Sequence, residues 1–277
     1  EWAEGEQHEQ VATVPAPDGY RGRYRREEAG WAGRYAAHID EAAAALGARG
    51  LAAMYFDPAC TAEGVLAAPP DYLREVTRRV QALGGLMIAD EVQAGYARTG
   101  NWWGYEVTGF VPDIVVTGKP MGNGLPLAAA AASRALVETF RAKTRYFNTF
   151  ASSPLQAAVG MAVLDEIERR DLRTNVATVG AALKASLTQR KGASDAIGDV
   201  RGHGLFIGIE LVKPKDNTPD VDLARRVINR LKDKGFLTSN AGAFSNVVKI
   251  RPPLTFSREN AAEFLVAWDE TVAELAA

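Results

Sequence analysis

Leu86-Met87-Ile88-Ala89-Asp90-Glu91-Val92-Gln93 is an apolar run that breaks into two acids. A second run, Ile114-Val115-Val116, breaks into Thr117-Gly118-Lys119-Pro120-Met121-Gly122-Asn123-Gly124. Both runs are short, apolar or β-branched throughout, and end in turn residues. That pattern predicts strands buried on both faces, as in a parallel sheet. Open α/β sheets bind ligands at the carboxyl ends of their strands. The two strands therefore deliver a carboxylate, Asp90, and an amine, Lys119, to one edge.

Working outward, the same alternation continues. Trp31, Tyr35, Ile39, Ala42 and Leu46 have helical spacing, which predicts an amphipathic helix over 27–48 that ends near Gly47 and Gly50. A strand follows over 51–56 and stops at Asp57-Pro58. Pro69-Pro70-Asp71 opens a helix over 72–83, and Gly84-Gly85 stops it. Strand, helix, strand is the unit of a parallel sheet. Beyond Lys119 a strand is expected over 127–132, then a helix capped by Ser133, then a long helix opened by Pro154. Near residue 171 the character changes. Asp171 is expected to cap a helix reaching about Arg190. A strand over 206–211, a helix over 221–234, a strand over 247–250 and a helix over 258–275 complete the chain. The fold class is α/β: a large, parallel-sheet-dominated domain over 1–170 and a small α+β domain over 171–277.

An acid and a lysine at a shared strand edge suit pyridoxal 5′-phosphate. That cofactor needs a lysine for its Schiff base and a carboxylate for its pyridinium nitrogen. A hydrophobic strand ending in Asp-Glu also occurs in nucleotide triphosphatases, but no Gly-x4-Gly-Lys-Ser/Thr loop exists here, and Gly118-Lys119 runs into proline. The string Ala89-Asp90-Glu91-Val92-Gln93, then Arg98-Thr99-Gly100, Pro112-Asp113-Ile114 and Gly118-Lys119, resembles the signature of class III aminotransferases, pyridoxal-phosphate enzymes of fold type I. The resemblance implies that Lys119 carries the cofactor and Asp90 keeps its ring nitrogen protonated. It further implies that Val92 packs on the ring and Gln93 bonds the ring hydroxyl. Thr149, in Phe147-Asn148-Thr149-Phe150, would reach the cofactor phosphate of a neighbouring subunit, which implies a homodimer with shared active sites. Pro15-Ala16-Pro17-Asp18 matches an internal segment of the family, and Glu1-Trp2-Ala3-Glu4-Gly5 has no initiator methionine. The chain is therefore expected to be the C-terminal portion of a longer enzyme, with the turn for the cofactor phosphate and a ring-stacking aromatic upstream.

Departures from the family pattern bear on the reaction. Many members bind a substrate carboxylate through an arginine just before a Pro-Pro-Leu segment. In Val247-Val248-Lys249-Ile250-Arg251-Pro252-Pro253-Leu254 that position is Lys249. Lysine cannot form the two-pronged fork to a carboxylate. A glutamate that often moves against that arginine is replaced by Ala62, and a one-residue slip of the alignment restores it as Glu63. The runs Gly118-Lys119-Pro120-Met121-Gly122-Asn123-Gly124, Tyr146-Phe147-Asn148-Thr149 and Gly204-Leu205-Phe206-Ile207-Gly208 resemble the ethanolamine-phosphate phospho-lyases. A small phosphorylated amine is then the expected substrate, with Lys249 or Arg251 as cationic partners of its phosphate. The alternatives are an aminotransferase acting on amines or amino acids, and a catalytically silent scaffold. Arg251 could equally be a surface or interface arginine.

Composition sets the remaining bounds. The chain has 277 residues, enough for a sizeable core. Charged residues make up 24% with a net charge of −2, so no nucleic-acid partner is expected. Cys60 is the only cysteine, which excludes an intrachain disulfide and suits a reducing, cytoplasmic location. No apolar run suggests a membrane span. His203, between glycines, is expected to be structural, and His8 and His38 have no evident context.

Overall fold

The computed structural model of the protein describes residues 8–151 and 153–276. Glu1-Trp2-Ala3-Glu4-Gly5 lies outside the described residues. The first sheet has the order β1-β2-β3-β4, built from β1 (Ala53–Phe56), β2 (Leu86–Asp90), β3 (Ile114–Thr117) and β4 (Ala129–Ala132). The first three strands are parallel and β4 is antiparallel. Helix α1 (Trp31–Ala45) and helix α2 (Pro70–Ala82) pack on one face. Pro70 begins α2, where its missing N–H costs no hydrogen bond, and Asp71 complements the helix dipole. Tyr72, Leu73, Val76 and Val80 then point inward and cover Met87 and Ala89 of β2.

The expected double-sided burial is only half met. Met87 and Ala89 are buried, whereas Leu86, Ile88 and Asp90 are half-buried. Within β3 only Thr117 is fully buried. The reason is that α1 and α2 join the hydrophobic cluster on the Met87 and Ala89 side.

Two short helices bridge β2 and β3: α3 (Glu91–Ala94) and α4 (Gly104–Thr108). After β4 come α5 (Arg134–Lys143), α6 (Pro154–Arg169) and α7 (Leu172–Ala193). Ser133 and Ser153 cap α5 and α6 by accepting from the backbone N–H of Leu136 and Gln156. Asp171 does not cap α7 with its side chain. It stands in a left-handed conformation, φ 45°, at a tight helix–helix joint, and its carbonyl accepts from Asn175 N–H.

The second sheet, order β5-β6-β8-β7, is antiparallel throughout. It comprises β5 (Ile197–His203), β6 (Phe206–Leu211), β7 (Ser239–Ala241) and β8 (Val247–Ile250), with α8 (Val221–Asp233) and α9 (Arg258–Ala276). Val176, Val179, Leu183 and Leu187 form one stripe of α7 and pack in its core with Ile207, Ile209, Phe264 and Trp268. Each such aliphatic side chain contributes roughly 2 kcal/mol by leaving water. Among the described residues no helix is long and apolar enough to cross a membrane, and no group of His, Cys, Asp and Glu could hold a metal ion.

Candidate active site

Asp90 is the last residue of β2, and its Oδ1 accepts from Val92 N–H at 3.0 Å. The carboxylate thus caps α3, the single turn that carries Val92 and Gln93. On the neighbouring strand Asp90 is in register with Val116. Lys119 follows three residues later, exposed, in a turn closed by Met121 N–H donating to Gly118 C=O at 2.7 Å. A Cβ on Gly118 would lie 3.8 Å from Val92 Cγ1, so Val92 borders the Lys119 turn. Asp90, Val92 and Lys119 therefore converge, as the strand ends require.

The second sheet supplies two cations to the same place. Lys249, on β8, is half-buried. Burial pushes its ammonium below the ordinary lysine range, and the positive charges of Arg251 and Lys119 add to the effect, while Asp57 opposes it. Lys249, Lys119, Arg251 and Asp57 thus share one electrostatic neighbourhood. Arg251 donates from Nη1 to Gln93 Oε1. Thr149 is different. It stands on an exposed turn between α5 and α6, where Asn148 Oδ1 accepts from Phe150 and Ala151 N–H. Among the described residues, no hydrogen bond ties Thr149 to the other candidates.

Three participants were not singled out from the sequence. Asp57 closes β1 as Asp90 closes β2, and its carboxylate accepts from Ala59 N–H at 2.9 Å and Thr61 N–H at 2.8 Å. Burial raises its pKa, the Thr61 bonds resist, and Asp90 adds like-charge repulsion. Glu91 is buried beneath the site. It accepts from Gly104 N–H at 2.7 Å and Tyr105 N–H at 2.8 Å, which fastens α4 to α3. Burial pushes its carboxyl up to about 7 against the pull of those two bonds. Arg98 reaches the second sheet through the carbonyls of Pro252 and Leu205. Burial and then the nearby Arg251 lower its guanidinium to about 10. An acid ending an apolar strand was a readable signal for Asp57. Glu91 and Arg98 carried none beyond their place in the motif.

The donor set suits pyridoxal phosphate: an exposed amine for covalent attachment, a carboxylate for the ring nitrogen, an aliphatic side chain for the ring face and an amide for the ring oxygen. The comparisons agree. The class-III aminotransferase family model matches residues 4–272. This chain belongs to the class III aminotransferase family. Its fold is that of the fold type I enzymes, and its cofactor is pyridoxal 5′-phosphate. It is 40% identical over 213 residues to alanine–glyoxylate aminotransferase 2 homolog 2, mitochondrial, of Arabidopsis thaliana, covering 76% of this chain and 44% of that protein. It is 34% identical over 278 residues to ethanolamine-phosphate phospho-lyase homolog 1 of Caenorhabditis elegans, covering 95% of this chain and 60% of that one. Among solved structures, an Arthrobacter phospholyase in complex with phosphoethanolamine superposes with a TM-score of 0.88 at 35% identity, over 95% of this chain and 63% of that one. The chain spans 44 to 60% of the length of these two curated relatives.

Proposed function

We propose that this chain is part of a phospho-lyase that eliminates phosphate from a small phosphorylated amine such as phosphoethanolamine, giving an aldehyde, ammonia and phosphate. One observation carries the reading. The second-sheet cation whose charge is felt together with that of Lys119 is Lys249, and the guanidinium of Arg251 is held by Gln93. A carboxylate substrate would want a planar fork, whereas a phosphate dianion is satisfied by a point charge. Similarity to the Arthrobacter and C. elegans proteins supports the same reading.

Bound pyridoxal phosphate supplies an electron sink for the carbon beside the substrate nitrogen. Asp90, fixed by its bond to Val92 N–H, would hold the proton on the ring nitrogen. The Lys119 amine, once the substrate amine has taken its place, would withdraw the proton from that carbon. Lys249 would receive the phosphate as the C–O bond on the neighbouring carbon breaks and its electron pair leaves with that phosphate. Lys119 would return to its place as the organic fragment leaves as an enamine, which water would convert to aldehyde and ammonia.

Transamination is the second reading, favoured by the 40% identity to the Arabidopsis aminotransferase. The two separate in one assay on the full-length enzyme loaded with pyridoxal phosphate. Phosphoethanolamine is added without any keto acid, and phosphate and aldehyde are followed. Multiple-turnover release of both is the expected result. A single half-reaction without phosphate release overturns the lyase reading.

The working unit is proposed to be a homodimer. Tyr146, Phe147, Phe150, Leu155 and Met161 stand exposed from the end of α5 to α6, beside Thr149, an apolar surface suited to a second copy. Sedimentation of the full-length enzyme tests this, and a monomer with undiminished activity would exclude it.

A further inference from the structure

We infer that Arg251 is a positioning residue that fixes the orientation of the Gln93 amide, so that its NH2, not its carbonyl, is presented to the cofactor ring oxygen. A glutamine amide has one accepting and one donating end, and the two have nearly the same shape. Nothing in the glutamine itself decides which end faces the ring. Here Arg251 Nη1 donates to Gln93 Oε1. Arginine has only donors, so it can be paired only with the carbonyl end. The amide nitrogen is thereby turned to the opposite side.

The surroundings of Arg251 show that this contact is built. Its guanidinium lies over the buried ring of Phe206, 5.9 Å from the centroid. The carbonyl of the next residue, Pro252, accepts from Arg98 Nη1, which also reaches Leu205 C=O at 3.4 Å. Arg98 belongs to the same motif as Gln93, and the backbone between them turns sharply, with φ 56° at Tyr96 and 67° at Ala97. Two left-handed non-glycine residues in succession are a cost that a structure maintains where geometry matters. On the other side, Gln93 rides on the turn that Asp90 caps. Arg98 therefore holds the Arg251 loop, Arg251 holds the Gln93 carbonyl, and Asp90 holds the turn beneath. A residue just past β8 thus sets a proton donor on α3. The inference rests on the cofactor alone and holds for either reaction.

The visible absorbance of the full-length holoenzyme, titrated with pH in the absence of substrate, tests it. A donor to the ring oxygen competes for electron density with the proton on the adjacent lysine-linked nitrogen, so losing the donor raises the midpoint. Arg251→Met is expected to raise it by about one pH unit, the scale of one hydrogen bond to a charged group. Arg251→Lys, which keeps a donor, restores most of the wild-type value. In a Gln93→Leu background, Arg251→Met adds little. An unchanged midpoint in Arg251→Met overturns the inference. So does a full shift that persists without Gln93, because Arg251 would then act through its charge. Should Arg251→Met fail to fold, Gln93→Glu decides: it can pair with Arg251 but cannot donate, and must raise the midpoint at least as far as Gln93→Leu. A wild-type midpoint in Gln93→Glu overturns the inference.

Discussion

Under the proposed lyase reading Lys249 meets the substrate phosphate, and its neighbours bear on that role. Burial, Arg251 and Lys119 disfavour its positive charge and Asp57 favours it, so an incoming dianion would offset the repulsion from the two cations. Lys249→Met is expected to raise KM for phosphoethanolamine by about ten- to a hundredfold, the value of one charge-assisted bond, and Lys249→Arg to recover part of it. Steady-state kinetics on the full-length enzyme check this; an unchanged KM would remove Lys249 from the phosphate site. Glu91 makes a second prediction. Its folded pKa, about 7, lies above the ordinary 4.5, so its contribution to stability is full below pH 4.5 and is lost as pH rises to 7. The loss is on the order of 3 kcal/mol. Glu91→Gln should be less stable than wild type at pH 5, with the gap closing by pH 8 in thermal unfolding. The convergence of Asp90 and Lys119 was legible because each follows the end of an apolar strand, whereas Gln93 was named only through the resemblance of its motif. Glu91 was not, because its partners are the backbone N–H groups of Gly104 and Tyr105. Burial, followed by Lys184, lowers the His203 ring to about 4.

Elements with a strong period or punctuation were readable in the chain: β2, β6, β8 and the helices opened by Pro70, Ser133 and Pro154 all fall where their residues predict. β5 was not expected as a strand. Its sequence, Ile197-Gly198-Asp199-Val200-Arg201-Gly202-His203, carries two glycines and two charges, and only the tertiary structure repays them. Gly202 and Gly204 have φ 120° and 54°, and Asp199 and Arg201 are buried as a pair. β7, three residues long, has no pattern to read and exists by pairing with β8. The same glycines locate a tight backbone stack. A Cβ on Gly180 of α7 would come within 2.2 Å of Gly204 C=O, and one on Gly204 within 2.7 Å of Arg98 C=O. Helix, turn and motif loop are therefore pressed together without side chains between them. Gly180→Ala must push α7 off this stack, at a cost of about 3 kcal/mol from overpacking. Urea unfolding is the measurement, and a loss below about 0.5 kcal/mol would show that α7 can move freely.

Across the whole molecule, the N-terminal segment is tied to the second sheet by buried charge. Arg21 Nε donates to Glu210 at 2.5 Å, Arg201 Nη1 to Glu210 at 2.6 Å and to Asp199 at 3.2 Å, and Arg26 Nη2 to Asp199 at 2.8 Å. Arg201 Nε also binds Gly64 C=O at 3.0 Å, which brings the loop after β1 into the network. Two acids thus serve three arginines, and Asn246 Nδ2 adds a donor to Glu210 at 3.4 Å. Burial alone would raise the Asp199 carboxyl, but Arg26 and Arg201 outweigh it and hold it low. Its contribution is therefore present above pH 3.8 and is lost as pH falls through its folded value. Such a network resists partial removal. Glu210→Gln keeps the shape but leaves Arg201 and Arg21 with one anion fewer in a site closed to water. Removing one partner of a buried pair costs about 3 to 5 kcal/mol, because the stranded charge is not resolvated. Replacing Arg21 as well, in Arg21→Met/Glu210→Gln, removes one of the stranded cations and should recover part of the loss. Unfolding free energies of the two variants check this, and a double variant no more stable than Glu210→Gln would show that Arg21 does not share in the network. The arginine pairs join residues 18–26 to β5 and β6 directly, so the single variant should also raise deuterium uptake in residues 18–26, while the α2 core, which shares none of these bonds, stays protected.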